Sequence, residues 1–276
     1  MAPRVSVLTP TARYGGIDIS WLGLKEQTYT DFEWVIVDEI EREKEIKDYC
    51  RDSRVIWLKS PPKKQGKFWN LDQSVNYASS KCRGELLINL QDYIWIPPDA
   101  IQKFVSAYDR ISGFGSLPTA LSGVGHKYTL GGLAVHDLKG KVSVYHTDVR
   151  EVPLMWKMFS EDPRVKGGGL HVCNPVEWEA NFSMLPLSLM YDLGGWDEDF
   201  DAGWGYDNVN LAERIVAHGG LCWLDENNES YSVSHEKLFG QIDFKESAPN
   251  NEDVWTKKNE AINRGEGIYL DYLKRK

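Results

Sequence analysis

The chain has 276 residues, of which 41 are acidic and 32 basic, for a formal net charge of −9. Its 42% hydrophobic and 26% charged content is that of an ordinary soluble globular protein, which excludes a disordered or fibrous chain. The acidic balance argues against a surface that grips nucleic acid or anionic lipid as a whole. No apolar stretch approaches the roughly 20 residues that span a bilayer, and residues 1–30 carry no basic start followed by an apolar run. Cys50, Cys82, Cys173 and Cys222 lie far apart without Cys-x-x-Cys spacing, so reduced thiols in a cytoplasmic protein are expected. Eleven tryptophans are the unusual entry in the composition.

The first hundred residues alternate between short apolar runs and helical stretches. Strands are expected at Val5–Thr9, Phe32–Asp38, Arg54–Leu58 and Glu85–Leu90, with helices at Asp18–Gln27, Glu41–Arg51, Asn70–Ser80 and Pro98–Tyr108. Near-continuous apolar strands separated by helices predict an α/β domain with a mostly parallel central sheet covered on both faces. Residues 111–132 are glycine-rich and aperiodic, and predict a loop or irregular hairpin. Beyond them, strands are expected at Lys141–His146, Trp178–Leu185, Gly220–Leu224 and Tyr231–His235, and helices at Leu187–Leu193 and Asn208–His218. Residues 236–256 are polar and aperiodic and read as a mobile loop before a short helix. The expected organisation is one domain over 1–235, with an alternating half at 1–110 and an irregular half at 133–235. Residues 236–276 form a candidate lid.

Ligands of such sheets bind at the carboxyl ends of the strands, which directs attention to Thr9, Pro10 and Thr11, to Asp38 and Glu39, to Ser60 onward, and to Gln91, Asp92 and Tyr93. Neither Gly-x-Gly-x-x-Gly nor Gly-x-x-x-x-Gly-Lys-Ser/Thr occurs, which weakens dehydrogenase and P-loop readings. Asp38, at a strand end, is equally suited to cap a turn or to accept from a base or ribose. Nine basic and four acidic residues fall in 42–67, against the trend of the chain. There Lys67, close to Asn70, is the favoured group for offsetting a diphosphate. Residues 192–213 hold seven acids and neither lysine nor arginine. Like charge gathered beside Trp196, Phe200 and Trp204 implies raised carboxylate pKa values or a ligand. The plainer alternative makes the tryptophans core and the acids helix caps.

Four segments in register resemble glycosyltransferase family 2. They are Val5–Thr11 with Gln27–Asp38; Gly84–Asp99, ending Trp95-Ile96-Pro97-Pro98-Asp99; Asn181–Ser183 with Leu193–Phe200; and Gly203–Leu211. The resemblance implies a GT-A fold and transfer of a sugar from a nucleotide diphosphate sugar to a hydroxyl. It implies donor contacts from Thr9, Pro10, Thr11, Asp38, Lys67, Asn70, Gln91 and Asp92. Acceptor contacts would come from Asn181, Trp196, Trp204 and Asn208. Asp92 and His235 would hold a divalent cation, Mn2+ or Mg2+, which a diphosphate commonly accompanies.

Two departures from the family pattern qualify this. Leu90-Gln91-Asp92-Tyr93 leaves one carboxylate where relatives place two. Aligned without gaps, the family's general base falls on Asn208, so Asp207 takes that role or the reaction does without it; inversion and retention stay open. A saccharide or glycan acceptor is favoured, and modified DNA is a minority reading. A sugar nucleotidyltransferase and a non-catalytic carbohydrate- or nucleotide-sugar-binding protein are the alternatives.

Overall fold

Every position of β1 (Val5–Thr11) and β2 (Phe32–Asp38) is buried, as strands covered on both faces require. The pleat sends alternate side chains to opposite faces. Val5, Val7, Trp34 and Ile36 enter one core with α1 (Ile17–Leu24), α2 (Glu43–Cys50) and α4 (Ala100–Ser112). Leu8, Val35 and Val37 enter the other with α3 (Leu71–Ser79), α5 (Leu187–Leu193) and α6 (Asp207–Ala217). The computed structural model describes residues 2–12, 16–113, 115, 117–128, 135–136, 142–143, 159–232 and 249–275.

The remaining strands of the main sheet are β3 (Val55–Lys59), β4 (Leu86–Leu90), β5 (Ile94–Trp95), β6 (Thr119–Tyr128), β9 (Phe159–Ser160), β10 (Leu170–Val172), β11 (Phe182–Pro186) and β12 (Leu221–Ser232). A separate pair, β7 (Val135–His136) and β8 (Val142–Ser143), is antiparallel. The main order is β10-β12-β6-β11-β4-β1-β2-β3, with β5 added to β12 and β9 to β6. The block β4-β1-β2-β3 is parallel, as its helical crossovers demand. Beyond β4 the sheet is mixed: β11 runs antiparallel to both β4 and β6, while β6 and β12 are parallel. The expectation of a mostly parallel sheet therefore holds for the first half only.

Pairing of β1 with β4 stops at Leu8, whereas pairing with β2 continues to Thr11. Pro10, which has no N–H, sits where one neighbour has been lost, so the strand runs through it instead of ending before it.

Three expectations along the second half are corrected. The glycine-rich stretch contains the ten-residue strand β6. Its Gly123 marks a close approach, because a Cβ there would lie 2.5 Å from the Asn228 carbonyl and 2.6 Å from the Phe182 ring. The two closing strands are one, β12, with a register shift between Asp225 and Glu229. Of the polar residues that read as a break, Asp225, Glu226, Asn228 and Ser230 are buried and engaged. Glu226 accepts from the amides of Lys166, Gly167 and Gly168 at 2.7–3.1 Å, and Asn228 Nδ2 donates to the Ala100 carbonyl at 3.1 Å. Finally, the expected loop becomes helical at α7 (Glu252–Asn263), which lies against α6. Residues 236–248 lie outside the described residues. All four cysteines are buried and unpaired. Among the described residues no helix is long and apolar enough to cross a membrane.

Candidate active site

The parallel strands end at a cleft of about 300 Å³. Pro10 and Thr11 from β1, Glu39 after β2, Gln91 and Tyr93 after β4, and Trp69–Asp72 at the start of α3 form one side. Asn181, Phe200, Asp201, Trp204 and Asp207 form the other. A second cavity of about 280 Å³ adjoins it and shares Pro10, Leu71, Asp72, Gln91, Asn181 and Asp207. Carboxylates line both, and among the described residues neither lining includes a lysine, arginine or histidine.

Asp207 is the first residue of α6 and borders both cavities. Two left-handed residues precede it, Gly205 (φ 82°) and Tyr206 (φ 69°). A non-glycine residue in that region is strained, and here the Tyr206 ring is stacked on Trp255 of α7 at 5.0 Å. The turn sets Asp207 at a helix amino terminus, where backbone N–H groups favour its charged form. Burial outweighs them and raises the carboxyl above its ordinary value, with Asp201 adding repulsion.

The seven acids of 192–213 are not gathered around one ligand. Arg275 binds Asp192 at 2.7 Å, and Lys258 of α7 bridges Asp197 at 2.8 Å and Asp199 at 2.7 Å. Lys64 pairs with Glu198, which also accepts from Asn76 at 3.1 Å. The Trp255 indole donates to Glu213. Asp201 accepts from the backbone amides of Asp72 and Gln73 at 3.0 and 3.1 Å and so caps α3 from a distance. Burial nevertheless raises its carboxyl. Only Asp201 and Asp207 of the seven reach the first cavity.

The glycines of the same segment are fixed by the carboxy-terminal chain. A Cβ on Gly194 (φ 75°) would meet the Leu270 carbonyl at 1.6 Å, and one on Gly195 (φ 89°) the Asn76 side chain at 2.4 Å. Arg214, fully buried, donates to the carbonyls of Leu193, Gly195 and Ile268 at 2.5–2.9 Å, and burial lowers its pKa to about 10. Asn251 donates to the carbonyls of Phe200 and Gly205, while the Trp204 amide donates to the Pro249 carbonyl at 2.9 Å.

The expected donor residues divide. Pro10, Thr11, Asn70 and Gln91 line the first cavity. Thr9 does not: its hydroxyl is buried and accepts from the Trp34 indole at 2.9 Å. Asp38 is fully buried in an ion pair with Arg42 at 3.1 Å and accepts from Trp57 and two backbone amides, so it is a structural anion beneath the cleft. Glu39, one residue on, reaches the rim, and partial burial raises its carboxyl. Lys67 lies 3.5 Å from Asp199, outside the cavity lining. The basic run is spent largely on protein acids, Lys59 on Glu41 and Lys64 on Glu198. Asp92 is fully buried and accepts from Thr11 Oγ1 at 2.7 Å without lining either cavity.

Of the acceptor residues, Trp204 lines the first cavity, Trp196 and Asn208 the second, and Asn181 both. His235 lies outside the described residues. Sequence reasoning missed Asp72 and Asn89. Asn89 carried a signal, a polar residue inside an apolar strand, and such buried polar groups are the informative exceptions. Asp72 carried none, because an acid at a helix start is ordinary.

No protein-family profile and no curated protein matches the sequence significantly. Among solved structures, the chain is similar to Staphylococcus aureus TarS. Residues 1–349 of TarS with UDP-GlcNAc give a TM-score of 0.62 at 11% identity, covering 94% of this chain and 65% of that one. The same TarS fragment with UDP gives 0.58 at 12%, covering 95% and 71%. Longer TarS gives 0.58 at 12%, covering 86% of this chain and 38% of that one. The fold is GT-A-like. That fold explains why the cleft forms at the end of β4-β1-β2, with the second half of the chain closing one side.

Proposed function

We propose that the chain is a glycosyltransferase that moves a sugar from a nucleotide diphosphate sugar to an acceptor hydroxyl, with a saccharide or glycan as the favoured acceptor. One observation carries the reading: in a GT-A-like fold, a carboxylate with a raised pKa stands at a helix amino terminus where two cavities meet. A general base works best when its pKa approaches the working pH, and Asp207 is displaced in that direction. The nucleotide would lie along Pro10, Thr11, Asn70 and Gln91 in the first cavity. Asp207 would accept the acceptor's proton as its oxygen attacks the anomeric carbon and the bond to the diphosphate breaks. Trp204 offers an apolar wall to the acceptor ring, as sugar sites commonly do. Similarity to a protein solved with UDP-GlcNAc supports a nucleotide-sugar donor.

Divalent-cation assistance by Mn2+ or Mg2+ is part of the family expectation. Among the described residues, however, no group of three His, Cys, Asp or Glu side chains could hold an ion. Asp92 Oδ2 accepts from Thr11 Oγ1, itself on the cleft lining. Asp92 and His235 would be the residues to hold such an ion; His235 lies outside the described residues, and no step is routed through a metal.

The deciding assay incubates the protein with a panel of nucleotide sugars and saccharide acceptors, with Mn2+ or with a chelator, and measures released nucleotide. Transfer is expected from at least one donor. Asp207→Asn should lower turnover about 10²- to 10⁴-fold with nearly unchanged donor affinity. Because the free base is lost as pH falls through a raised pKa, the acidic limb of kcat should lie above the usual carboxylate range. Binding without transfer would leave a carbohydrate-binding protein. Release of pyrophosphate from a nucleoside triphosphate would indicate a nucleotidyltransferase.

A further inference from the structure

Gly205 and Asp207 line the first cavity, but Tyr206 between them lines neither cavity. Its ring instead stacks on Trp255 of α7, with centroids 5.0 Å apart and planes 21° from parallel. The backbone that allows this is a costly one. A φ of 69° lies in the left-handed region, which glycine occupies freely and a bulky side chain avoids. A turn that needed only this shape would be better served by glycine, which it has one residue earlier at φ 82°. Strain of this kind persists where surrounding contacts impose it, and it collects beside functional groups. What the tyrosine adds over glycine is its ring.

Trp255 is held on two sides. Its amide donates to the Asn251 carbonyl at 2.8 Å, and its indole nitrogen donates to both Glu213 oxygens, at 3.2 and 3.1 Å. Glu213 follows Tyr206 by seven positions, about two helical turns, and so shares its face of α6. One indole thus grips that face at the start of α6 and again two turns on. Asn251, 2% exposed, donates to the Phe200 and Gly205 carbonyls at 2.8 and 3.2 Å and fixes the approach to the helix. Both the entry of α6 and its rotation about its own axis are therefore set from α7. Asp207 is the first residue of that helix, so these two quantities decide where its carboxylate points.

We propose that Tyr206 and Trp255 are a positioning pair: their stack aims the Asp207 carboxylate into the cleft, and neither ring touches substrate. The inference rests on the glycosyltransferase reading, with Asp207 as the base. Proton transfer to a base tolerates little misplacement, and an error of about 1 Å can cost about 10²-fold in rate. The test is steady-state kinetics of the intact chain with a donor and acceptor that support transfer, reading kcat and both KM values separately. Tyr206→Gly suits the left-handed backbone and removes the ring. It should lower kcat about 10- to 100-fold while both KM values stay within about twofold. Trp255→Ala should do the same, and it carries the test if near-ultraviolet circular dichroism shows that Tyr206→Gly has misfolded. Tyr206→Phe keeps a stacking ring and should restore kcat to near the wild-type value. In an Asp207→Asn background, Tyr206→Gly should cost less than about twofold more, because the carboxylate through which the pair acts is already gone. A merely structural residue would multiply the two losses.

Wild-type kcat in a folded Tyr206→Gly or Trp255→Ala, or the full further loss in the Asp207→Asn background, would overturn the proposal. A raised KM with kcat unchanged would make the rings substrate contacts and would overturn it as well. In those cases the wild type still transfers sugar and the glycosyltransferase reading stands. Absence of transfer by the wild type from every donor would remove that reading and this inference with it.

Discussion

Two aspartates show how position along a strand or helix decides a carboxyl group's work. Asp38 ends β2 between two residues that line the cleft, Val37 and Glu39, yet its own oxygens are taken by Arg42, Trp57 and backbone amides. Asp38→Ala would strand a buried guanidinium, so chemical denaturation should show a loss of about 3–5 kcal/mol. Nucleotide affinity of the folded protein should change little; a selective loss of affinity without destabilisation would return Asp38 to the binding site. Asp72 behaves oppositely. Its folded pKa is raised, so folding takes up a proton between the unfolded value, about 3.9, and the folded one. Its contribution to stability is greatest at low pH and declines as pH rises through that window, by up to about 1.4 kcal/mol per pH unit. Asp72→Asn removes this slope. Urea midpoints at pH 5 and pH 7 should therefore show the variant gaining on the wild type as pH rises, and parallel profiles would contradict the assignment.

At the scale of elements, the Gly194-Gly195 turn, α6 and the carboxy-terminal chain form one clasp. Gly194→Ala adds a Cβ where the Leu270 carbonyl already lies and strains a left-handed residue. It should release the tail without melting the sheet, seen as rapid proteolysis near 264–275 with the far-ultraviolet spectrum preserved. Resistance equal to wild type would count against the clasp. This also explains what the sequence could reveal. The alternating block through β4 was readable because β1, β2 and β4 are buried on both faces and α2 and α3 each bury one side only. Beyond residue 110 the pattern fails for identifiable reasons. Gly123 is small to admit the Phe182 ring, and Asp225, Glu226 and Asn228 are polar yet buried, each with a hydrogen bond to a backbone group. At the site, motif order located Asp207, Asn181 and Trp204. It could not show that Asp38 is spent on Arg42, because that pairing depends on a side chain folding back across α2's start. Nor could it show that Lys64 and Lys67 meet acids more than 130 residues away.

Over the whole molecule, the net charge of −9 is consistent with acid-lined cavities whose neighbouring lysines are engaged elsewhere. A polyanionic acceptor would meet repulsion, whereas a neutral saccharide would not. Acceptor affinity should thus stay nearly constant between about 50 and 200 mM salt, where a ligand held by several phosphate contacts would lose orders of magnitude. A steep salt slope would favour the nucleic-acid reading. The wall that carries Trp204 and Asp207 is held by Asn251, Trp255 and Lys258, and the turn behind it by Leu270 and Leu273. A ribosome delivers those residues more than forty positions after Asp207 itself. Strands β1 to β4 have their partners early, since chains generally fold from the amino terminus during synthesis. The strand side of the cleft can therefore be in place while the carboxylate of Asp207 is still unmoored, and the wall that completes the cleft arrives last in the birth of the molecule.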